Sequence, residues 1–440
     1  MSTTVTIERM GYGAAAIGHM ENGKTVFVEG GAPEDVCEIR ITDEKPSFAV
    51  AELVNIVKPS SLRAKLDPKY TVSGCIPGAP WAHLEYSAQL HAKRCNLVEA
   101  LVRVGKLDRQ YVEKTVSECV PSKREWGYRN KIELSAFTNE AGKFTLGMHE
   151  AGSQDIVDVP RTPLANRFLE GAPKSLTGAI RFLQGADDLG IYRVGVRASL
   201  RTKSTEIALW TAPAAFPRTA VAKTLQDALR ATSVVRVVAE PGAARKVKKV
   251  ETLEGAGFWK EELAGTSFAI SAPSFFQVNT AQAEKLVELV MAGLNLEGDE
   301  LVADLYSGAG TFSLPIAQTG ADVVAIELEG SSVRDLRRNA QYNNCDIEII
   351  GDDVARALPE IGVVDAAVVD PPRSGLSKEV IAAIANAAPK RLAYVSCDPQ
   401  TFARDTAVLH RRGFTLETAT PVDMFPQTYH QETVGIFKAS

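Results

Sequence analysis

The chain has no run approaching the roughly 20 consecutive apolar residues that a membrane-spanning helix needs. Its opening, Met1 to Val5, lacks the basic and apolar regions of a signal peptide. Only 6 cysteines are scattered at irregular spacing through 440 residues, which excludes a disulfide framework and fits a reducing cytoplasm. Internal repeats and low-complexity tracts are also missing, so solenoid and disordered architectures drop out. What is present is an ordinary globular composition, 45% hydrophobic and 23% charged, in a chain long enough for two or three domains.

A net charge of -5 argues against a polyanion partner, yet it averages over unlike regions. Residues 171–249 hold 14 basic and 5 acidic side chains, whereas residues 250–440 hold 14 and 27. A basic middle beside an acidic C-terminal half suggests a polyanion-binding module joined to something else. Arg193, Arg197, Arg201 and Lys203 lie close together in that middle, with Lys123, Arg124, Arg129 and Lys131 as a second candidate path. Solvated faces of both signs are the plain alternative.

Residues 4–56 read as short strands separated by turn signals, with Asn22-Gly23 between apolar runs as a hairpin signal, so a small barrel is expected over 1–60. Lys58-Pro59-Ser60-Ser61 marks its end. Over 85–116, Leu90, Cys95, Leu97, Leu101 and Val104 approximate one helical face. An α+β segment runs to residue 268. From 269 to 440, apolar strands such as Leu301–Leu305, Asp322–Ile326 and Ala366–Val369 alternate with helix-like stretches, the pattern of a parallel doubly wound sheet.

In that last segment Asp304-Leu305-Tyr306-Ser307-Gly308-Ala309-Gly310-Thr311-Phe312 joins a strand to a helix. Glycines there let a ligand approach the backbone. Glu327, at the end of the next strand, is placed to accept hydrogen bonds from ribose hydroxyls. A tight turn without ligand would look similar for the glycines alone. Asp352 reaches either an adenine amino group or, with Asp353, a helix N-terminus.

Asp370-Pro371-Pro372-Arg373 follows one strand and Ser396-Cys397-Asp398-Pro399 the next, with His430-Gln431-Glu432-Thr433-Val434 near the C-terminus. Carbon 5 of uracil attacks a methyl sulfonium only after a thiolate has added at carbon 6, and a base must then remove the carbon-5 proton. Cys397, Glu432 and the Asp304–Glu327 region supply a thiol, a carboxylate and a donor site. Singly, a buried structural cysteine and a surface carboxylate are the commoner explanations.

These motifs, together with Ser274-Phe275-Phe276-Gln277-Val278-Asn279 and Gly127-Tyr128-Arg129-Asn130-Lys131, resemble the RNA 5-methyluridine methyltransferase family. The resemblance implies a TRAM-like barrel over 1–60, a central α+β RNA-binding domain over 61–268 and a Rossmann-like class I methyltransferase domain over 269–440. The helical segment 85–116 is expected against the last of these. It also implies Cys397 as nucleophile, Glu432 as general base, and Gln277, Tyr306, Thr311, Glu327 and Asp370 as contacts to S-adenosylmethionine. Position 311 is often asparagine in the family.

Many relatives carry a four-cysteine iron–sulfur cluster. Here only Cys75 stands in the corresponding region, and Cys95 and Cys119 are wrongly spaced, so neither cluster nor other metal is expected. The implied partner is RNA, ribosomal rather than transfer RNA by the barrel, with a monomeric chain and no membrane. A purine amino-group methyltransferase is the competing enzyme, against which Arg373 and Cys397 speak. A non-catalytic RNA chaperone on the same fold needs neither Cys397 nor Glu432.

Overall fold

The computed structural model describes residues 2–149, 155–185, 188–242 and 246–439. Strands β1 (Ser2–Met10), β2 (Ala15–His19), β3 (Thr25–Glu29), β4 (Val36–Glu44) and β5 (Phe48–Lys58) close a barrel in the order β1-β2-β3-β5-β4. Alternation sends Val26, Val28, Cys37 and Ile39 inward, where they pack with Val5, Ile7, Ala16 and Ala49. Asn22-Gly23 does turn a hairpin: β2 and β3 pair antiparallel from His19↔Thr25, and Gly23 takes φ 78°.

Two helices follow, α1 (Tyr86–Arg103) and α2 (Arg109–Thr115). The helical segment is real, but its buried face differs from the apolar one expected. Val104 is 41% exposed, whereas Gln89, Lys93 and Asn96 are buried beside Leu97 and Leu101. Polar side chains can line a buried face when each finds a hydrogen-bonding partner, and these do.

Strands β6 (Lys131–Thr138), β7 (Phe144–His149) and β8 (Ile156–Asp158), helix α3 (Ala172–Gln184), strands β9 (Ile191–Ala198) and β10 (Thr205–Thr211), helix α4 (Arg218–Leu229), and strands β11 (Ser233–Val238) and β12 (Lys249–Gly255) come next. They form a sheet of order β12-β11-β10-β9-β6-β7-β8. Leu176 and Ile180 of α3 and Val221 and Leu225 of α4 share its apolar core with Val194, Val196, Ile207 and Leu209. A hairpin, β13 (Trp259–Leu263) and β14 (Thr266–Ile270), leads on.

The remainder alternates strand and helix: α5 (Thr280–Leu294), β15 (Leu301–Leu305), α6 (Ser313–Ala317), β16 (Asp322–Ile326), α7 (Gly330–Tyr342), β17 (Glu348–Ile350), α8 (Val354–Ile361), β18 (Ala366–Val369), α9 (Lys378–Ala387), β19 (Arg391–Ser396), α10 (Pro399–Arg411), β20 (Phe414–Val422) and β21 (Glu432–Ala439). The sheet order is β17-β16-β15-β18-β19-β21-β20, parallel from β17 through β19. Strand order reverses between β15 and β18, the switch point where such sheets bind ligands beyond their C-terminal ends.

Two compact units result. The described residues of 1–125, 372–375 and 396–435 form one, and those of 126–371, 376–395 and 436–440 the other. This division cuts across the three consecutive segments expected from the sequence. Within the first unit α1 packs on α10, so residues far apart in the chain share one core. No helix among the described residues is long and apolar enough to cross a membrane.

Candidate active site

In the second unit the turn after β15 winds tightly. Tyr306 adopts φ 62°, Gly308 57° and Gly310 96°, a left-handed run that costs a non-glycine residue energy and recurs at functional sites. A Cβ at Gly310 would lie 2.6 Å from the Leu336 side chain, and its φ of 96° strains any other residue, so both favour glycine. Glu327, just past β16, accepts from the Gly308 N–H at 2.9 Å and from the Glu329 N–H at 2.6 Å. The acidic residue and the glycine turn are therefore one construction. Thr311 is half-buried at the same turn.

Asp304 is fully buried; one carboxyl oxygen accepts from the Ser313 hydroxyl, and the other, Oδ1, has no hydrogen-bonding partner. Burial pushes its pKa up to about 7. Asp370 donates its backbone N–H to Leu305 O at 3.2 Å, and its carboxyl is raised by burial and then by Asp304. This pair of carboxyls resists simultaneous ionisation near neutrality.

Gln277 is buried in the segment between β14 and α5. Asn130 holds that segment: its side chain donates to Gln277 O at 2.9 Å and to the Thr280 hydroxyl at 3.0 Å, and its N–H donates to Val278 O at 2.8 Å. Asn279 then caps α5 through the Gln282 N–H. Asn130 was visible in the sequence only as part of a motif; its task depends on a contact across 147 residues. Asp353 caps α8 through the Ala355 N–H, while Asp352 pairs with Arg356 and accepts from the Asp353 N–H. Asp353 fits the helix-terminus alternative.

The first unit carries the thiol. Cys397 follows β19 and is half-buried. Asp398 caps α10, accepting from Gln400 and Thr401 at 2.8 and 3.1 Å. From the barrel, Tyr12 donates towards Asp398 Oδ2 at 3.4 Å and Cys397 O at 3.5 Å. Burial, then the charges of Asp398 and Cys397, raises the Tyr12 hydroxyl far above its ordinary range, so it remains a donor. Tyr429 sets its ring edge-on to Tyr12, with centroids 5.9 Å apart. Glu432 is buried at the start of β21. Arg373 is exposed, and Gly375 nearby leaves no room for a side chain, since a Cβ would lie 2.4 Å from Asp405 Oδ2.

Of the basic cluster in the central segment, Arg201 and Lys203 are exposed but Arg197 is not. Arg197 is 3% exposed and donates to Ser271 O and Ser274 O, bracing the segment that leads to Gln277. Arg201 binds Glu284 with both terminal nitrogens, Lys203 donates to Leu200 O, and Arg193 pairs with Glu133. Arg197 is thus a structural brace, because only burial with acceptors could satisfy its guanidinium there. Lys123 and Arg124 are exposed, whereas Lys131 pairs with Glu133. Among the described residues no group of three or more His, Cys, Asp and Glu side chains is arranged to hold a metal ion.

A doubly wound sheet with a glycine turn and a strand-end carboxylate, carried in a chain with a five-stranded barrel, defines a Rossmann-like methyltransferase with an N-terminal TRAM-type domain. Residues 3–54 match the TRAM domain. Residues 85–357 and 362–439 match the tRNA (Uracil-5-)-methyltransferase family, and the chain belongs to that family of RNA methyltransferases. An uncharacterised RNA methyltransferase of Gloeobacter violaceus is 32% identical over 460 residues, covering 100% of this chain and 97% of its own. One from Clostridium tetani is 31% identical, covering 97% and 94%. The crystal structure of Pyrococcus abyssi tRNA (uracil-54, C5)-methyltransferase in complex with S-adenosyl-L-homocysteine is similar at 25% identity and a TM-score of 0.76, covering 98% of this chain and 99% of its own.

Proposed function

We propose that the chain methylates carbon 5 of a uridine in RNA, with S-adenosylmethionine as donor, Cys397 as nucleophile and Glu432 as base. The observation that carries this is the match to the uracil-5 family across both the glycine-turn segment and the thiol and Glu432 segments. The donor's fit rests on the Gly308–Glu327 construction and on the buried Asp304, whose unpartnered Oδ1 suits a cationic ligand. Gln277, Tyr306, Thr311, Glu327 and Asp370 would hold it, Glu327 through the ribose hydroxyls.

The Cys397 thiolate forms a bond to carbon 6 of the ring, and the carbon 5–carbon 6 electron pair moves to an enolate on the carbon-4 oxygen. When bound, the donor supplies an electrophilic methyl group, which carbon 5 takes with release of S-adenosylhomocysteine. Glu432 then accepts the carbon-5 proton. The freed pair restores the ring double bond and expels the thiolate. RNA carrying 5-fluorouridine tests this, because fluorine cannot leave as a cation. Wild-type protein should give a covalent protein–RNA band that Cys397→Ala lacks at unchanged donor affinity; a band from the alanine variant would end the proposal.

By the family resemblance alone, the barrel favours a ribosomal substrate. A specific observation favours transfer RNA as well: the Pyrococcus abyssi enzyme, titled for uracil-54 of tRNA, aligns with 98% of this chain, barrel region included. Mapping 5-methyluridine in both RNA classes from a deletion strain decides between them.

A further inference from the structure

Helix α1 carries four polar side chains at positions 86, 89, 93 and 96, which the helical repeat brings to one face. Gln89, Lys93 and Asn96 are buried and Tyr86 is half-buried. A buried polar face is costly unless its groups are hydrogen-bonded. Its bonds show which segments it organises, all inside the first unit.

Gln89 uses its whole amide. Its Nε2, with two hydrogens to share, lies 2.9 Å from Gln427 Oε1, 3.0 Å from Leu84 O and 3.2 Å from Trp81 O, while its Oε1 accepts from the Gln427 N–H at 2.9 Å. The Trp81 N–H donates to Gln427 O at 3.0 Å, so Gln427 is gripped on both sides of its peptide unit. Gln427 sits at φ 69°, a conformation a non-glycine residue keeps only when its surroundings impose it. One turn along, Lys93 pairs with Asp423 and donates to Phe425 O at 3.2 Å, and the Tyr86 hydroxyl donates to Asp423 Oδ2 at 2.7 Å.

From these anchors local hydrogen bonds carry the order on to His430, two residues before Glu432. The Thr428 hydroxyl donates to Phe425 O at 2.8 Å, and the His430 N–H donates to the Thr428 hydroxyl at 3.2 Å. The His430 ring packs against Tyr429 at 4.2 Å and Phe425 at 6.0 Å. Residues 423–430 are therefore a braced strut between α1 and the strand that Glu432 opens. We propose that Tyr86, Gln89 and Lys93 are positioning residues for Glu432, acting through the strained Gln427 turn to set where the base stands during elimination.

The inference rests on Glu432 being the base, and the experiment separates the two. Turnover on ordinary RNA requires elimination, whereas trapping by 5-fluorouridine RNA stops before it. Gln89→Ala and the near-isosteric Tyr86→Phe are compared with wild type and Glu432→Gln, with folding checked by thermal melting. Gln89→Ala should lose about tenfold or more in turnover, since a displacement of a full ångström costs up to about a hundredfold. It should trap fluorinated RNA within about twofold of wild type and accumulate methylated adduct on ordinary RNA; Tyr86→Phe should do the same more mildly. Equal losses in trapping and turnover by folded Gln89→Ala would reduce α1 to a structural role and overturn the inference. Failure of Glu432→Gln to accumulate adduct would instead remove the base on which it rests.

Discussion

Lys93→Met would test how much the buried pair beneath the Glu432 segment contributes to stability. Lys93 and Asp423 are both 0% exposed, and methionine keeps most of the lysine stem's packing. Removing the ammonium leaves the Asp423 carboxylate with the Tyr86 hydroxyl as a remaining donor, and leaves Phe425 O without its lysine bond. Breaking a buried ion pair from one side costs about 3–5 kcal/mol. With a urea dependence of roughly 3 kcal/mol per molar, the unfolding midpoint should fall by about 1–2 M. Combining Lys93→Met with Asp423→Asn removes the unmatched charge while keeping an acceptor for Tyr86, and should recover more than half of the loss. Urea titrations of the four proteins of this cycle, followed by fluorescence and by hydrogen exchange in residues 423–430, measure both effects. A single variant within about 1 kcal/mol of wild type, or a double variant no better than the single, would refute the reasoning.

Glu432→Gln should still attach to RNA and methylate it, then stall, giving an adduct band on denaturing gels; complete inactivity without adduct would assign Glu432 another task. Anaerobically purified protein should be colourless and free of stoichiometric iron, and Cys75→Ser should fold, because the exposed Cys75 stands without the three further thiolates a cluster needs. Asp304 and Asp370 are raised by burial, so the stability they confer is present below the ordinary carboxylate range and lost as pH rises towards about 7, where Asp304 ionises. A cationic donor favours the ionised pair; its affinity by calorimetry should therefore rise from about pH 5 to 8 with proton release, which Asp304→Asn should diminish. Arg197→Ala should lower stability by about 2–4 kcal/mol in melting experiments yet leave the salt dependence of RNA binding unchanged, since a buried guanidinium neutralises no phosphate.

Much of this protein was determined by residue order alone. The alternation of β3 and β4, the Asn22-Gly23 turn and the strand–helix rhythm after residue 300 are local patterns, and local patterns survive in one dimension. Gly308, Gly310 and Glu327 were legible because only the five-residue α6 and the strand β16 separate the glycine turn from Glu327. Tertiary structure decided the rest. An amphipathic search looks for apolar spacing, so it selected Val104 for α1 and passed over Gln89, Lys93 and Asn96, whose burial depends on acceptors more than 300 residues away for the first two and 85 for the third. Charge counting likewise marked Arg197 as a surface residue, because composition cannot tell a solvated guanidinium from one satisfied by Ser271 O and Ser274 O. Polar groups take their meaning from their partners, and partners distant in the chain are chosen only when the chain folds.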